Sequence, residues 1–281
     1  MIRVRYRYHV LFALPAALLL SAVLAAGCRK DTPSGPPAPA GNDTAAVPLA
    51  ITFNAFAGNA PFLPDTVMTT ENGIQYKVQR LRFYISQLEL IDSSGTHVPV
   101  TLLDSAMQPA TYGIALVDYG IPGSNVLRVL TRRGRYNGIS MAIGVPRLAF
   151  DGSSLNHGDA STHLPPLDVD ADMYWGWKPG YIFLKIEGFS YVAKQWEQFV
   201  YHIGEDKRMM SITASGAVTV PGDSSGQLRL KANINRLFVT PSGNYLPNLA
   251  GELADRVANS GGPADSLVIN GQKSGFITIQ Q

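Results

Sequence analysis

The sequence predicts an all-β protein: an antiparallel β-sandwich with Greek-key-like connections and one or two short helices near the C-terminus. Three observations point there. Apolar and polar residues alternate with period two through much of the chain, turn-forming Gly, Asn, Asp and Ser clusters divide these segments, and helical spacing is confined to one stretch near the end. Many short strands at such intervals favour two packed antiparallel sheets over a βαβ arrangement.

Leu49 to Ala57 is the first candidate strand. In Leu81 to Leu90 the apolar positions are 81, 83 and 85, then 88 and 90, so the phase slips near Ser86 and Gln87. A β-bulge at that point would keep both halves facing the core. Further strands are expected over His97 to Leu103, Val126 to Leu130, Tyr136 to Gly144, Tyr181 to Phe189, Glu197 to Ile203 and Arg208 to Val220. Leu228, Leu230, Ala232 and Ile234 alternate with Arg229, Lys231 and Asn233, which marks a half-buried strand. Turns are signalled by Glu71-Asn-Gly73, Asp92-Ser-Ser-Gly95, Asp151-Gly-Ser-Ser154 and Pro221-Gly-Asp-Ser-Ser225. A helix is expected within Pro247 to Ala258, where Leu249, Leu253 and Val257 recur at every fourth residue.

Ahead of the strands lies a different composition. Arg3, Arg5 and Arg7 precede an apolar run from Val10 to Ala26 that closes on small residues before Cys28, the single cysteine of the chain. This is the pattern of an export signal over residues 1–27, with Cys28 as the lipid acceptor of a bacterial lipoprotein. A plain signal peptide with an incidental cysteine is the simpler alternative. Residues 28–47, rich in Pro, Gly, Ala, Asp and Thr, read as a flexible tether, and residues 48–281 as one domain. The expected location is the cell envelope. Arg29 after the cysteine, where an aspartate would favour inner-membrane retention, points to the outer membrane. With Cys28 acylated, disulfides and thiolate metal sites are excluded. The net charge of +2 gives no reason to expect nucleic acid as a partner.

Beyond the signal the chain carries His97, His157, His163 and His202. Imidazole is then the natural ligand for a borderline or soft metal. His157 and His163 share the segment Asn156-His-Gly-Asp-Ala-Ser-Thr-His163, and six residues on a loop leave convergence and separate solvation equally open. Asp151, Asp159, Asp168, Asp170 and Asp172 are oxygen ligands suited to calcium, but their spacing is not that of an EF-hand. Gly222-Asp-Ser-Ser-Gly226 spells G-x-S-x-G but lies in a turn between two candidate strands, not at a strand-to-helix elbow, and there is no H-E-x-x-H and no phosphate cradle, so an ordinary hydrolase is not expected. Trp175-Gly-Trp177 leaves three readings: aromatics that fill the core, a platform with Tyr181 that stacks on glycans or a partner protein, or an oxidisable ring that shares an edge with His202.

Ile51-Thr-Phe-Asn54, Leu81-Arg-Phe-Tyr-Ile-Ser86, Gly138-Ile-Ser-Met-Ala-Ile-Gly-Val145, Leu155-Asn-His157, Met173-Tyr-Trp-Gly-Trp177, Gly180-Tyr-Ile-Phe-Leu-Lys-Ile-Glu-Gly188 and Tyr201-His-Ile-Gly204 occur in the order found in the MbnP family. From about residue 48 onward the chain resembles that family. The resemblance implies an extracytoplasmic β-rich protein that handles copper, as Cu(I) or Cu(II). It also implies a partner, MbnH, a di-haem protein of the cytochrome c peroxidase family that oxidises a tryptophan to kynurenine. On this chain the implied ligands are His157 and His202, with His163 as a further candidate. Trp175 is the first candidate for the modified residue and a donor once converted; Trp177 is the second. Related chains carry another histidine where this one reads Val257-Ala-Asn-Ser-Gly-Gly-Pro263.

Overall fold

The structure is a computed structural model. It describes residues 45–280 apart from 111–112, 147–148, 151–152, 155–165, 169–170, 176–179, 224–225 and 245–248, with backbone alone at 149–150 and 153–154. The signal, Cys28, most of the tether, His157, His163 and Trp177 lie outside the described residues. The described residues belong to the compact unit Asn42–Gln281.

The chain opens with β1 (Ala46–Ala57), β2 (Ala60–Pro61), β3 (Met68–Thr69) and the long β4 (Gln75–Ile91). Next come β5 (His97–Pro99), β6 (Thr101–Leu102), β7 (Ala115–Asp118), β8 (Val126–Arg132) and β9 (Gly134–Ile143). The small hairpin β10 (Ala149–Phe150) and β11 (Ser153–Ser154) precedes β12 (Ile182–Val192), β13 (Gln195–Gly204), β14 (Met210–Val220) and β15 (Gly226–Asn233). A short α1 (Leu253–Arg256), β16 (Val257–Asn259), α2 (Pro263–Lys273) and β17 (Ile277–Ile279) complete the fold.

Two sheets make the sandwich. One runs β17-β15-β1-β8-β6, and the larger runs β14-β9-β4-β12-β13-β16 with β3, β5 and β7 also on β4. Alternation along β1 and β4 sends Phe53 and Phe83 inward from opposite sheets, where their rings meet edge to face at 6.1 Å. Phe83 also meets Phe276, so three distant segments close on one ring. Among the described residues pairing is antiparallel apart from two cases: β1 with β15, and β13 with β16. Both tie early or central strands to the C-terminal part of the chain, and neither was expected.

The phase slip in β4 is a bulge. Register against β9 shifts between Ser86 and Glu89, and Gln87 takes a left-handed φ of 51°. A second bulge, which the sequence reading missed, shifts register against β12 between Glu187 and Gly188, beside Arg80. It lets Val78 and Leu81, three residues apart, both face the core, while Arg80 and Arg82 share the outer face by ordinary alternation.

Other expectations need correction. His97 to Leu103 is not one strand: β5 pairs with β4 in the large sheet and β6 with β8 in the other, so the chain changes sheets at Val100. The helix placed within Pro247 to Ala258 shrinks to α1, and Leu253 is 64% exposed, so the fourfold spacing marks no buried face. The longer helix is α2, which buries Ala264, Leu267, Val268 and Gly271 behind Pro263 in its first turn. Among the described residues no helix is long and apolar enough to cross a membrane.

Candidate functional site

Alternation along β13 buries Phe199, Tyr201 and Ile203 and turns Trp196, Gln198, Val200 and His202 to the outer face of the large sheet. Cross-strand register then builds a polar row. Asp118 of β7 faces Arg82 of β4, Arg82 faces Lys185 of β12, Lys185 faces His202, and His202 faces Asn259 of β16. One step along, Arg80 faces Glu187.

The charges in this row interlock. His202 Nε2 lies 2.6 Å from Glu187 Oε1, and Lys185 Nζ lies 2.8 Å from Asp172 Oδ2 and 3.8 Å from Glu187 Oε1. Arg80 Nη1 reaches Asp172 Oδ2 at 2.6 Å, and its Nε lies 3.6 Å from Glu187 Oε2. Arg82 Nε is 2.9 Å from Asp118 Oδ2, but out of line for a hydrogen bond. Lys185 is only 3% exposed, and a buried ammonium is tolerable when carboxylates neutralise it.

Glu187 and Asp172 respond in kind. The hydrogen bond from His202 holds the Glu187 carboxyl below its usual range against the opposing effect of burial, with Lys185 assisting. Burial alone would raise Asp172, yet the hydrogen bond and charge of Lys185, with Arg80 and Arg82, bring it below its usual range. Because both folded values lie below the unfolded ones, near 4 for carboxylates, their stabilisation is complete above about pH 4. It is lost as pH falls through the folded values. The thermal midpoint should therefore drop on acidification below about pH 4, and Glu187→Gln should show a smaller drop than the parent. Equal acid sensitivity in the two proteins would contradict this assignment.

Trp175 approaches the same face from a loop. Its backbone N–H donates to Gly180 O at 2.9 Å, Tyr174 bridges to Tyr181, and Ile182 N donates to Met173 O at 2.8 Å, so Met173 to Trp175 form a short extra edge on the start of β12. The indole then lies on Gly204. A Cβ built there would sit 2.5 Å from Trp175 Cζ3 and 2.6 Å from Tyr181 O, so only glycine admits this approach. Gly204 follows His202 by two residues on the same face, a step of about 6.6 Å along a strand. The Trp175 indole thus lies over the position two residues along β13 from His202.

Of the residues singled out in the sequence, Trp175 lies over Gly204, two residues from His202 on the same strand; His157, His163 and Trp177 lie outside the described residues. Tyr181 is not a stacking platform. It is fully buried, packs on Tyr84 and Tyr174, and donates its hydroxyl to Leu167 O. An exposed aromatic pair does exist, Tyr191 with Trp196, at the far end of the same face with Lys77 over the indole. The segment that departs from the family pattern runs beside His202: Ser260 N donates to His202 O, and Asn259 occupies the facing position.

The sequence reading missed Glu187, Lys185, Arg80 and Arg82. Alternating charges in Lys185-Ile-Glu187 and Arg80-Leu-Arg82 were visible, but the pairing that joins them was not. His97 Nδ1 lies 2.7 Å from Glu89 Oε2 and 3.1 Å from Ser140 Oγ, at a cleft of about 690 Å³. A serine relay needs its partners on opposite ring nitrogens, so this trio is not one.

As to copper, the described residues contain no cluster of three His, Cys, Asp or Glu side chains able to hold a metal. What they supply is one oriented imidazole. With Glu187 on Nε2, Nδ1 is the nitrogen left to ligate, the usual carboxylate-histidine arrangement around metals. The Trp175 indole lies over Gly204, two residues along the strand.

Residues 46–252 match the family model for MbnP. The chain belongs to the MbnP family. Among solved structures, MbnP from Methylosinus trichosporium aligns with a TM-score of 0.53 at 19% identity, over 77% of this chain and 82% of that one. At this identity the likeness establishes the shared MbnP fold. No curated protein matches the chain.

Proposed function

We propose that this MbnP-family protein binds copper outside the cytoplasm after one of its tryptophans, Trp175, is oxidised to kynurenine by an MbnH-like di-haem partner. In this reading it is the substrate of that enzyme and not a catalyst. Acylation of Cys28 would hold it at the outer membrane, with residues 28–47 as tether. The observation that carries the reading is the contact of the Trp175 indole with Gly204, one step from a histidine whose Nε2 is engaged by Glu187.

In that conversion peroxide consumed by the haem partner supplies two oxygen atoms and is reduced to water, the indole C2–C3 bond breaks, and hydrolysis releases C2 as formate; the kynurenine that remains exposes an aryl amine and a ketone, so an apolar ring becomes a nitrogen donor. His202 Nδ1 and that amine, with His157 or His163, make a nitrogen set suited to Cu(I), which accepts low coordination. Bound copper would be cargo for acquisition or handling. Glu187 fixes the imidazole, and the His202 hydrogen bond, assisted by Lys185, favours the ionised Glu187.

The test is the mass of the peptide from Asp172 to Lys185, from protein produced with and without the di-haem partner. The expected product carries one more oxygen and one fewer carbon at Trp175, together with copper in the intact protein. Unmodified tryptophan and no copper in the presence of an active partner would overturn the proposal.

A further inference from the structure

We propose that Asp172 is a positioning residue: its carboxylate pins the segment that carries Trp175 to Arg80, Arg82 and Lys185, and so sets the indole on Gly204 beside His202. The purpose of this pin rests on the copper reading; its geometry does not.

The segment Ala171–Trp175 is held from two sides. On its polar side Asp172 Oδ2 receives Arg80 at 2.6 Å and Lys185 at 2.8 Å, with Arg82 Nη1 at 3.8 Å, and the same Arg82 nitrogen donates to Ala171 O at 2.9 Å. On its apolar side Met173 is fully buried in the cluster around Tyr84 and Tyr181. Two residues past Met173, Trp175 lies over Gly204 of β13. Asp172 itself has a φ of 55°, the left-handed region that aspartate and asparagine tolerate better than other side chains. Asparagine therefore preserves the backbone and removes the charge.

Removing the charge has a second consequence. Asp172 is 55% exposed at its side chain whereas Lys185 is 4% exposed, so a surface carboxylate covers a buried ammonium. Deprived of Asp172, Lys185 keeps Glu187 at 3.8 Å, and Glu187 is already engaged with His202. The ammonium would then compete for the carboxylate that orients the imidazole. One residue thereby sets both partners of the proposed site.

The experiment uses the full chain with Trp177→Phe and Trp196→Phe, which leaves Trp175 as its tryptophan. Asp172→Asn is expected to raise acrylamide quenching of Trp175 and shift its emission to the red, and Asp172→Glu to restore part of the shielding. Unchanged quenching would overturn the pin. Because Asp172→Asn strands a buried charge, Asp172→Asn with Lys185→Met is measured beside it. Recovery of the urea midpoint with quenching still high supports positioning, and recovery of both shows that Asp172 served stability alone and overturns the proposal. Kynurenine yield with the partner is read separately. Its absence in the unmutated protein would remove the copper reading while the quenching result still decides the role of Asp172.

Discussion

Valine at position 204 is expected to expel the Trp175 indole from the outer face of β13 and to lower the unfolding free energy by about 1–3 kcal/mol, the usual cost of forcing extra carbons into a filled site. Two of the atoms a Cβ would meet belong to the indole, Cζ3 at 2.5 Å and Cη2 at 2.8 Å, and the third is Tyr181 O at 2.6 Å. The indole can rotate away; the carbonyl belongs to backbone and cannot. Stability and indole placement should thus fall together. Gly222→Ala is the control, since a Cβ there meets nothing closer than 3.7 Å. A urea midpoint and tryptophan emission at Gly204→Val that match the parent would refute the close approach.

The second large effect concerns His202. In protein converted by the partner, His202→Ala should abolish competition with a Cu(I) chelator. Glu187→Gln should weaken copper by roughly 10–100-fold, the usual penalty for losing the group that orients a ligand. The glutamine keeps the size of the side chain but can turn its amide toward Nε2, which favours the wrong tautomer. It also deprives Lys185 of one of two neighbouring carboxylates. If both variants take up copper as the parent does, neither His202 nor its carboxylate belongs to the site.

Much of the sandwich was legible because burial enforces period two. Leu228 to Ile234 showed it cleanly, and the slip at Ser86 and Gln87 could be read as a bulge since the core must be faced on both sides of it. The register between strands was hidden. Nothing local in Lys185, Glu187 and His202 says that they stand side by side, because that depends on how β12 pairs with β13 and β4. The C-terminal helix was misplaced for a related reason. Leu249, Leu253 and Val257 have helical spacing, but only Leu249 is buried, whereas Ala264, Leu267, Val268 and Gly271 have the spacing and are all buried, behind a Gly-Gly-Pro that reads first as a turn. The Trp175 contact with Gly204 joins residues far apart in sequence, and the family motifs, not periodicity, drew attention to both.

An anomalous difference map collected at the copper edge, from crystals of protein produced with its di-haem partner and loaded with Cu(I), bears most directly on the account. The expected peak lies within bonding distance of His202 Nδ1 and of the amine nitrogen at residue 175. A peak elsewhere, for instance between Glu89 and His97, with none beside His202, would contradict it.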